Sequence, residues 1–407
     1  MRLLALVWVA AVVLAQDDQA PDPPEVQEES VTGQTPRKPL EEVPVDAAPE
    51  PPVVHDVVAQ AAEALGMDAA TVQQLYDGID RLYLRDYAGA RDTWAALEAA
   101  DPRTPIVDVG QVLIYQALMM ENFDFAYDAQ YQHHAQLAED KLLKALQVPG
   151  HDAFETFLLA GVTGIEGIHV MRKGEFVGAF ARGVEALRVV EDCKALAPDF
   201  VDPILADGIY NYWRTAVAQS TRLIPSFGDK RALGISQMQE AARGALWVGP
   251  SANLAIAYAY IEERDFAQAL IYLERNRQLY PDNVINLLLQ ARVYLGLKDP
   301  ESAQTLVDTV ARVSPENQRR HYFQATIFLA QDKLDEGLVS IDTFLGLPLE
   351  DDIRAAGLSR KGDILLRVED YAAAEAAYEE AVRLTGFKPA KKQLKRMDRW
   401  RKEGRIE

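Results

Sequence analysis

From residue 56 onward, apolar residues recur at spacings of three and four, broken at short intervals by Pro, Gly or Asp. No stretch alternates apolar and polar positions as a half-buried strand would, so the pattern predicts paired helices throughout. Within it a longer period appears. Ala257, Ala291 and Ala325 are spaced by 34, as are Tyr260, Tyr294 and Phe328, the small residues Ala269, Ala303 and Gly337, and the prolines Pro281 and Pro315. A small residue on the first helix of a pair lets the second approach closely, and an aromatic three positions later fills the space beside it. A second small residue marks the crossing, and the proline stops the second helix and turns the chain into the next pair.

These rows resemble the tetratricopeptide repeat family, a 34-residue helix-turn-helix unit. A further copy follows an insertion in the 346–352 loop, with Gly362, Tyr371, Ala374, Tyr378 and Ala381 in the family pattern. An N-terminal copy spans Thr71 to Pro102, with Gly78, Tyr87, Ala90 and Trp94 in place. The resemblance implies an all-α, right-handed α-solenoid of antiparallel helix pairs. Residues 105–248 are helical without holding the period; Asp152–Arg172 and Glu175–Ala197 form a long pair, and Asp202–Arg222 begins another. The stretch from Asp207 to Trp213 and on through Pro225 to Gly234 is also similar to the central part of the tetratricopeptide repeat protein 39 family.

The chain therefore divides into residues 1–15, 16–55, 56–248, 249–387 and 388–407. Arg2 precedes an apolar run from Leu3 to Ala15, which reads as a secretory signal cleaved before Gln16. Thirteen apolar residues are too few for the ~20 of a spanning helix. Residues 16–55 hold nine prolines, ten acidic and two basic residues, a net −8, and are expected to be a disordered tether. At the other end, 388–407 carries nine basic and three acidic residues. Leu394, Met397 and Trp400 share one side of a helix there, suited to capping the last repeat.

The 407 residues carry a formal charge of −20 and one cysteine, Cys193. That charge argues against a nucleic-acid partner, and the lone cysteine excludes a disulfide scaffold. No zinc-protease, phosphate-loop or nucleophile-elbow pattern occurs, so no catalytic residue, metal or cofactor is expected. Glu166 and His169 sit three apart on one helix face, but a di-iron bundle needs that motif twice. Gly161, Gly164 and Gly167 form a strip expected to pack against the following helix near Gly178 and Ala181. Cys193 is expected to be a buried small hydrophobe.

Two sets of residues are candidates for binding. Family positions that line the concave groove fall on Tyr258, Arg292, Arg319, Tyr322 and Asp363, residue types suited to a protein or peptide partner. The lysine, asparagine and arginine cluster of carboxylate-clamp members is missing. The second set is Tyr210 and Trp213 with Asp229 and Lys230. These either wedge neighbouring pairs together or line a small-molecule pocket. The leading expectation is an exported, non-enzymatic scaffold or adaptor in the periplasm or cell envelope, without a membrane-spanning segment after signal cleavage. The alternative is a periplasmic solute-binding accessory of a transporter.

Overall fold

The computed structural model describes residues 54–100, 105–149, 153–220 and 228–406. The expected signal segment and nearly all of the acidic stretch lie outside the described residues. Eighteen helices run through the described chain, and no strand occurs there. They are α1 (Val54–Leu65), α2 (Ala69–Tyr83), α3 (Tyr87–Ala100), α4 (Ile106–Asn122), α5 (Asp128–Ala145), α6 (Ala153–Arg172), α7 (Phe176–Leu196), α8 (Ile204–Ser220) and α9 (Arg231–Gly244). Then follow α10 (Gly249–Glu262), α11 (Phe266–Leu279), α12 (Val284–Gly296), α13 (Pro300–Val313), α14 (Arg319–Ala330), α15 (Leu334–Leu345), α16 (Asp351–Arg367), α17 (Tyr371–Thr385) and α18 (Lys388–Lys402). Consecutive helices pack in pairs, which makes the protein an all-α solenoid of helix pairs. No described helix is long and apolar enough to cross a membrane.

The turn within each repeat has one construction. Arg85, Arg264, Lys298, Asp332 and Glu369 occupy the left-handed backbone region, with φ between 60° and 67°. The next residue's N–H reaches back five residues, as from Asp265 to the Tyr260 carbonyl and from Asp299 to that of Tyr294. That residue then starts the second helix: Asp86, Asp265, Asp299 and Asp370 each accept a backbone N–H three residues ahead. Lys333 takes this place in one repeat and supplies no such cap.

Packing between paired helices follows residue size. Gly78 precedes Trp94 by sixteen residues, and a Cβ at Gly78 would overlap the indole. Gly362 precedes Tyr378 by the same interval, and a Cβ there would stand 2.6 Å from the ring. Where the second position holds Leu273, Val307 or Ile341, the first holds Ala257, Ala291 or Ala325, and all six are buried.

The chain forms two compact units: described residues 54–119 with 126–283, and 120–125 with 284–406. In the first, an aromatic core joins Phe154 and Phe157 to Trp247 and Phe200, mostly edge to face. Its helices do not simply follow one another in a row, because α2 bonds directly to the last repeat of the unit. The Tyr83 hydroxyl lies 2.7 Å from Ser251 Oγ, Tyr280 donates to Asp80 at 2.9 Å, and Asn283 donates to the Tyr83 carbonyl. A solenoid whose units touch only their sequence neighbours makes no such contacts. Asp202, fully buried, accepts the backbone N–H groups of Leu246, Trp247 and Val248 at 2.6–3.1 Å and fixes the entry to α10. Burial pushes its carboxyl up to about 6.

In the second unit, apolar clusters run from Val284 to Ile327 and from Ala355 to Ile406. Within the latter, α18 buries Ala390, Gln393 and Met397, and Leu394 and Trp400 pack beside them.

Candidate functional site

The five positions expected to face a groove are half-buried on the first helices of their pairs: Tyr258 on α10, Arg292 on α12, Arg319 and Tyr322 on α14, and Asp363 on α16. Tyr258 belongs to the first unit and the other four to the second.

Arg319 is engaged by the protein's own chain. Its guanidinium lies 4.5 Å from the centre of the Phe123 ring and 5.8 Å from that of Phe323, and Nη1 donates to the Met120 carbonyl at 3.4 Å. Beside it Asn317, fully buried, donates from Nδ2 to the Glu121 carbonyl at 2.8 Å and accepts the Arg320 N–H on Oδ1. Phe123 sits in the left-handed region at φ 60°, which turns the chain sharply after α4. Thus the start of α14 reads two successive carbonyls and one aromatic ring of the 120–123 segment.

Tyr322 packs on Phe344, with ring centres 5.5 Å apart, and Arg360 lies 5.9 Å above its ring. Arg360, 5% exposed, donates to Asp363 at 3.0 Å, and Tyr378 donates to the other oxygen of that carboxylate at 2.8 Å. Burial, reinforced by Asp363, pushes the Tyr378 hydroxyl far above its ordinary range, so it stays protonated and serves as the donor. Asp363, expected at a groove position, therefore ties α16 to α17. Asn317, Arg360 and Phe123 escaped the sequence reading. Arg360 had a visible signal, an opposite charge three residues before Asp363.

The central aromatic set is arranged differently from the expectation. Trp213 is buried, but its neighbour in the wedge is Tyr212, not Tyr210. The Tyr212 and Trp213 rings meet edge to face at 5.1 Å. The Tyr212 hydroxyl reaches the Ala259 carbonyl and Glu263 Oε1, both at 2.8 Å, and so joins α8 to α10. Tyr210 is half-buried, with Arg214 5.3 Å over its ring. A residue missed from sequence organises the junction: Arg231, 0% exposed, bonds both oxygens of Asp229 and both oxygens of Glu263. Asp229 thus neutralises a buried guanidinium. Lys230 is exposed, and its backbone N–H donates to Thr215 Oγ1. Residues 221–227 of the same stretch lie outside the described residues.

Other residues singled out by sequence have partners of their own. His169 bonds Asp128 at 2.5 Å and stacks on Tyr131, and burial pulls its imidazole down, overriding that carboxylate. Glu166 instead bonds Arg182. The two residues serve different contacts, and among the described residues no group of three or more His, Cys, Asp or Glu is placed to hold a metal ion. Cys193 is fully buried against the Ala153 carbonyl, and burial pushes its thiol up to about 12.

The glycine strip packs in part as expected. A Cβ at Gly164 or Gly167 would touch Ala186, Arg182 or the Ala179 carbonyl, whereas Gly161 faces open space. Ala181 is exposed, so the contact runs along the face of Ala179, Arg182, Gly183 and Ala186 instead. A helix turns by about 100° per residue, and that set follows the face at spacings of three and four.

Residues 260–327 and 355–386 match models of the tetratricopeptide repeat, so those stretches are tetratricopeptide repeats. Among solved structures, the chain is similar to the crystal structure of yeast Tom70 at 14% identity and a TM-score of 0.39, covering 86% of this chain and 88% of that one. It is also similar to the crystal structure of the P58(IPK) TPR domain at 14% identity and a TM-score of 0.27, covering 83% of this chain and 100% of that one. No curated protein matches the chain.

Proposed function

We propose that this chain is an exported, non-enzymatic scaffold or adaptor of the cell envelope that holds a protein or peptide partner on the groove-facing positions of its repeats, without a cofactor. Tetratricopeptide repeats are protein-interaction scaffolds, and two matched stretches lie in this chain. The observation that carries the reading is at α14. Arg319 and Asn317 already hold a short run of polypeptide through its carbonyls and an aromatic ring, the chemistry by which a groove captures an extended peptide. Tyr322 stands one turn further along the same helix face, and Arg292 occupies the corresponding face of α12. The export reading rests on the Arg2 and Leu3–Ala15 pattern, and the absence of nucleic acid from the formal charge of −20. The solute-binding alternative receives no comparable support, since Trp213 is buried and Asp229 is committed to Arg231.

The test is capture from the native envelope read by mass spectrometry, comparing the wild type with Arg292→Glu and Tyr322→Ala. The same bound proteins should fall at least tenfold in both variants, about 1.4 kcal/mol of binding. Capture unchanged in both would remove the groove from the mechanism. N-terminal sequencing of the exported chain should begin at Gln16; a start at Met1 would sink the export reading.

A further inference from the structure

The basic residues of the C-terminal helix are unevenly distributed around it. At about 100° per residue, Lys388, Lys391, Lys395, Arg399 and Lys402 fall within an arc of about 80°, and all five are exposed. The buried positions Ala390, Gln393 and Met397 lie on the opposite side. Other cations of the segment are used locally. Arg401 pairs with Glu375 at 2.7 Å and with Asp398, Arg405 pairs with Glu403, and Arg396 lies over the Trp400 ring. None of the five in the row has a carboxylate partner among the described residues. Like charges one turn apart repel each other by roughly 0.2–0.5 kcal/mol per pair, so the row favours a polyanion laid along it.

We propose that this row docks the acidic stretch of residues 16–53 of the same chain. That stretch carries ten carboxylates against two cations, the opposite sign in a comparable number. It is covalently attached, so no second molecule has to be recruited. Fully extended, 38 residues span over ~100 Å, several times the ~22 Å length of α18. Its nine prolines lack N–H donors, so charge rather than backbone pairing supplies the recognition. The described part of α18 exposes no large apolar side chain to enter a lipid bilayer, which favours an acidic polypeptide over a membrane surface.

The proposal is tested on the full chain with spin labels at Ser30→Cys and Glu403→Cys, Cys193 being buried and out of reach of the label. Double electron–electron resonance should give a short, narrow distance distribution at low salt. It should become long and broad at about 0.5 M salt, where the screening length falls to a few ångströms. The same change is expected at low salt when Glu25, Glu28, Glu29, Glu41 and Glu42 are all replaced by Gln, substitutions that leave every described residue untouched. Distributions that ignore both salt and the Gln substitutions overturn the docking. So does equal co-sedimentation of the wild-type and Gln-substituted chains with phosphatidylserine vesicles, which would make an anionic lipid surface the occupant.

Discussion

Between residues 106 and 244 the buried side chains include Asp108, Glu121, Glu155, His169, Asp202 and Arg231, whereas between 249 and 385 Arg360 is the one buried charge among the described residues. The later stretch closes its helix pairs by matching sizes: Gly against Tyr, Ala against an aliphatic residue. Size matching is local to a pair and repeats wherever the pair repeats, so it keeps the 34-residue period. In the central stretch, charged side chains reach partners tens of residues away, as Arg231 reaches Glu263 and Asp202 reaches Trp247. Such contacts are specific to one place, and the period dissolves around them.

The sharpest way to break this contrast is at Arg231. Arg231→Leu removes the buried guanidinium that Asp229 and the half-buried Glu263 share, and chemical denaturation should record a loss of about 3 kcal/mol. A loss below about 1 kcal/mol would mean that water already screens the pair and that the central stretch does not depend on its buried ions.

Next comes the size rule in the later stretch. Gly362→Ala places a methyl against the Tyr378 ring and should cost roughly 2–3 kcal/mol, and Tyr378→Leu should cost a similar amount by opening a cavity. Together they recreate the alanine and aliphatic pairing of the other repeats, so the double variant should recover at least about 1 kcal/mol of the summed losses. Strict additivity in the double-mutant cycle would refute the rule.

The smallest effect concerns Asp202 and pH. Its native carboxyl is raised from 3.8 to about 6 by burial, which outweighs its three backbone N–H donors. A raised native value means that the folded state keeps a proton the unfolded chain releases. The associated stability is complete below 3.8 and is lost as pH rises through about 6. Relative to Asp202→Asn, which does not titrate, wild-type stability should decline by on the order of 2 kcal/mol between about pH 4.5 and 7. A difference that stays flat, or grows with pH, would show that the N–H donors prevail over burial.

Legibility from sequence followed the same division. The repeat rows, the small residues at crossings and the apolar side of α18 were readable because each depends on spacing along one helix or one turn. The five positions expected to line a groove could be placed from the sequence only on a helix face. That Arg319 grips the 120–123 segment, or that Asp363 is bound by Arg360 and Tyr378, required the neighbours to be known. The exchange of Tyr212 for Tyr210 has the same origin. Both are aromatic positions of one helix, and what separates them is the Ala259 carbonyl and Glu263 carboxylate near one hydroxyl.

By itself the sequence determined that the chain makes helix pairs and, in the later repeats, how long each pair is, where its turns fall and which faces are apolar. These follow from the 3.6-residue turn and from the cost of exposing an apolar stripe. The tertiary structure alone decided which charges are buried together, which carbonyls Arg319 and Asn317 read, and that α2 meets Ser251 across 168 residues and Tyr280 across 200. A helix face carries the same periodic signal whatever covers it. The identity of a distant hydrogen-bond partner leaves no trace in local spacing.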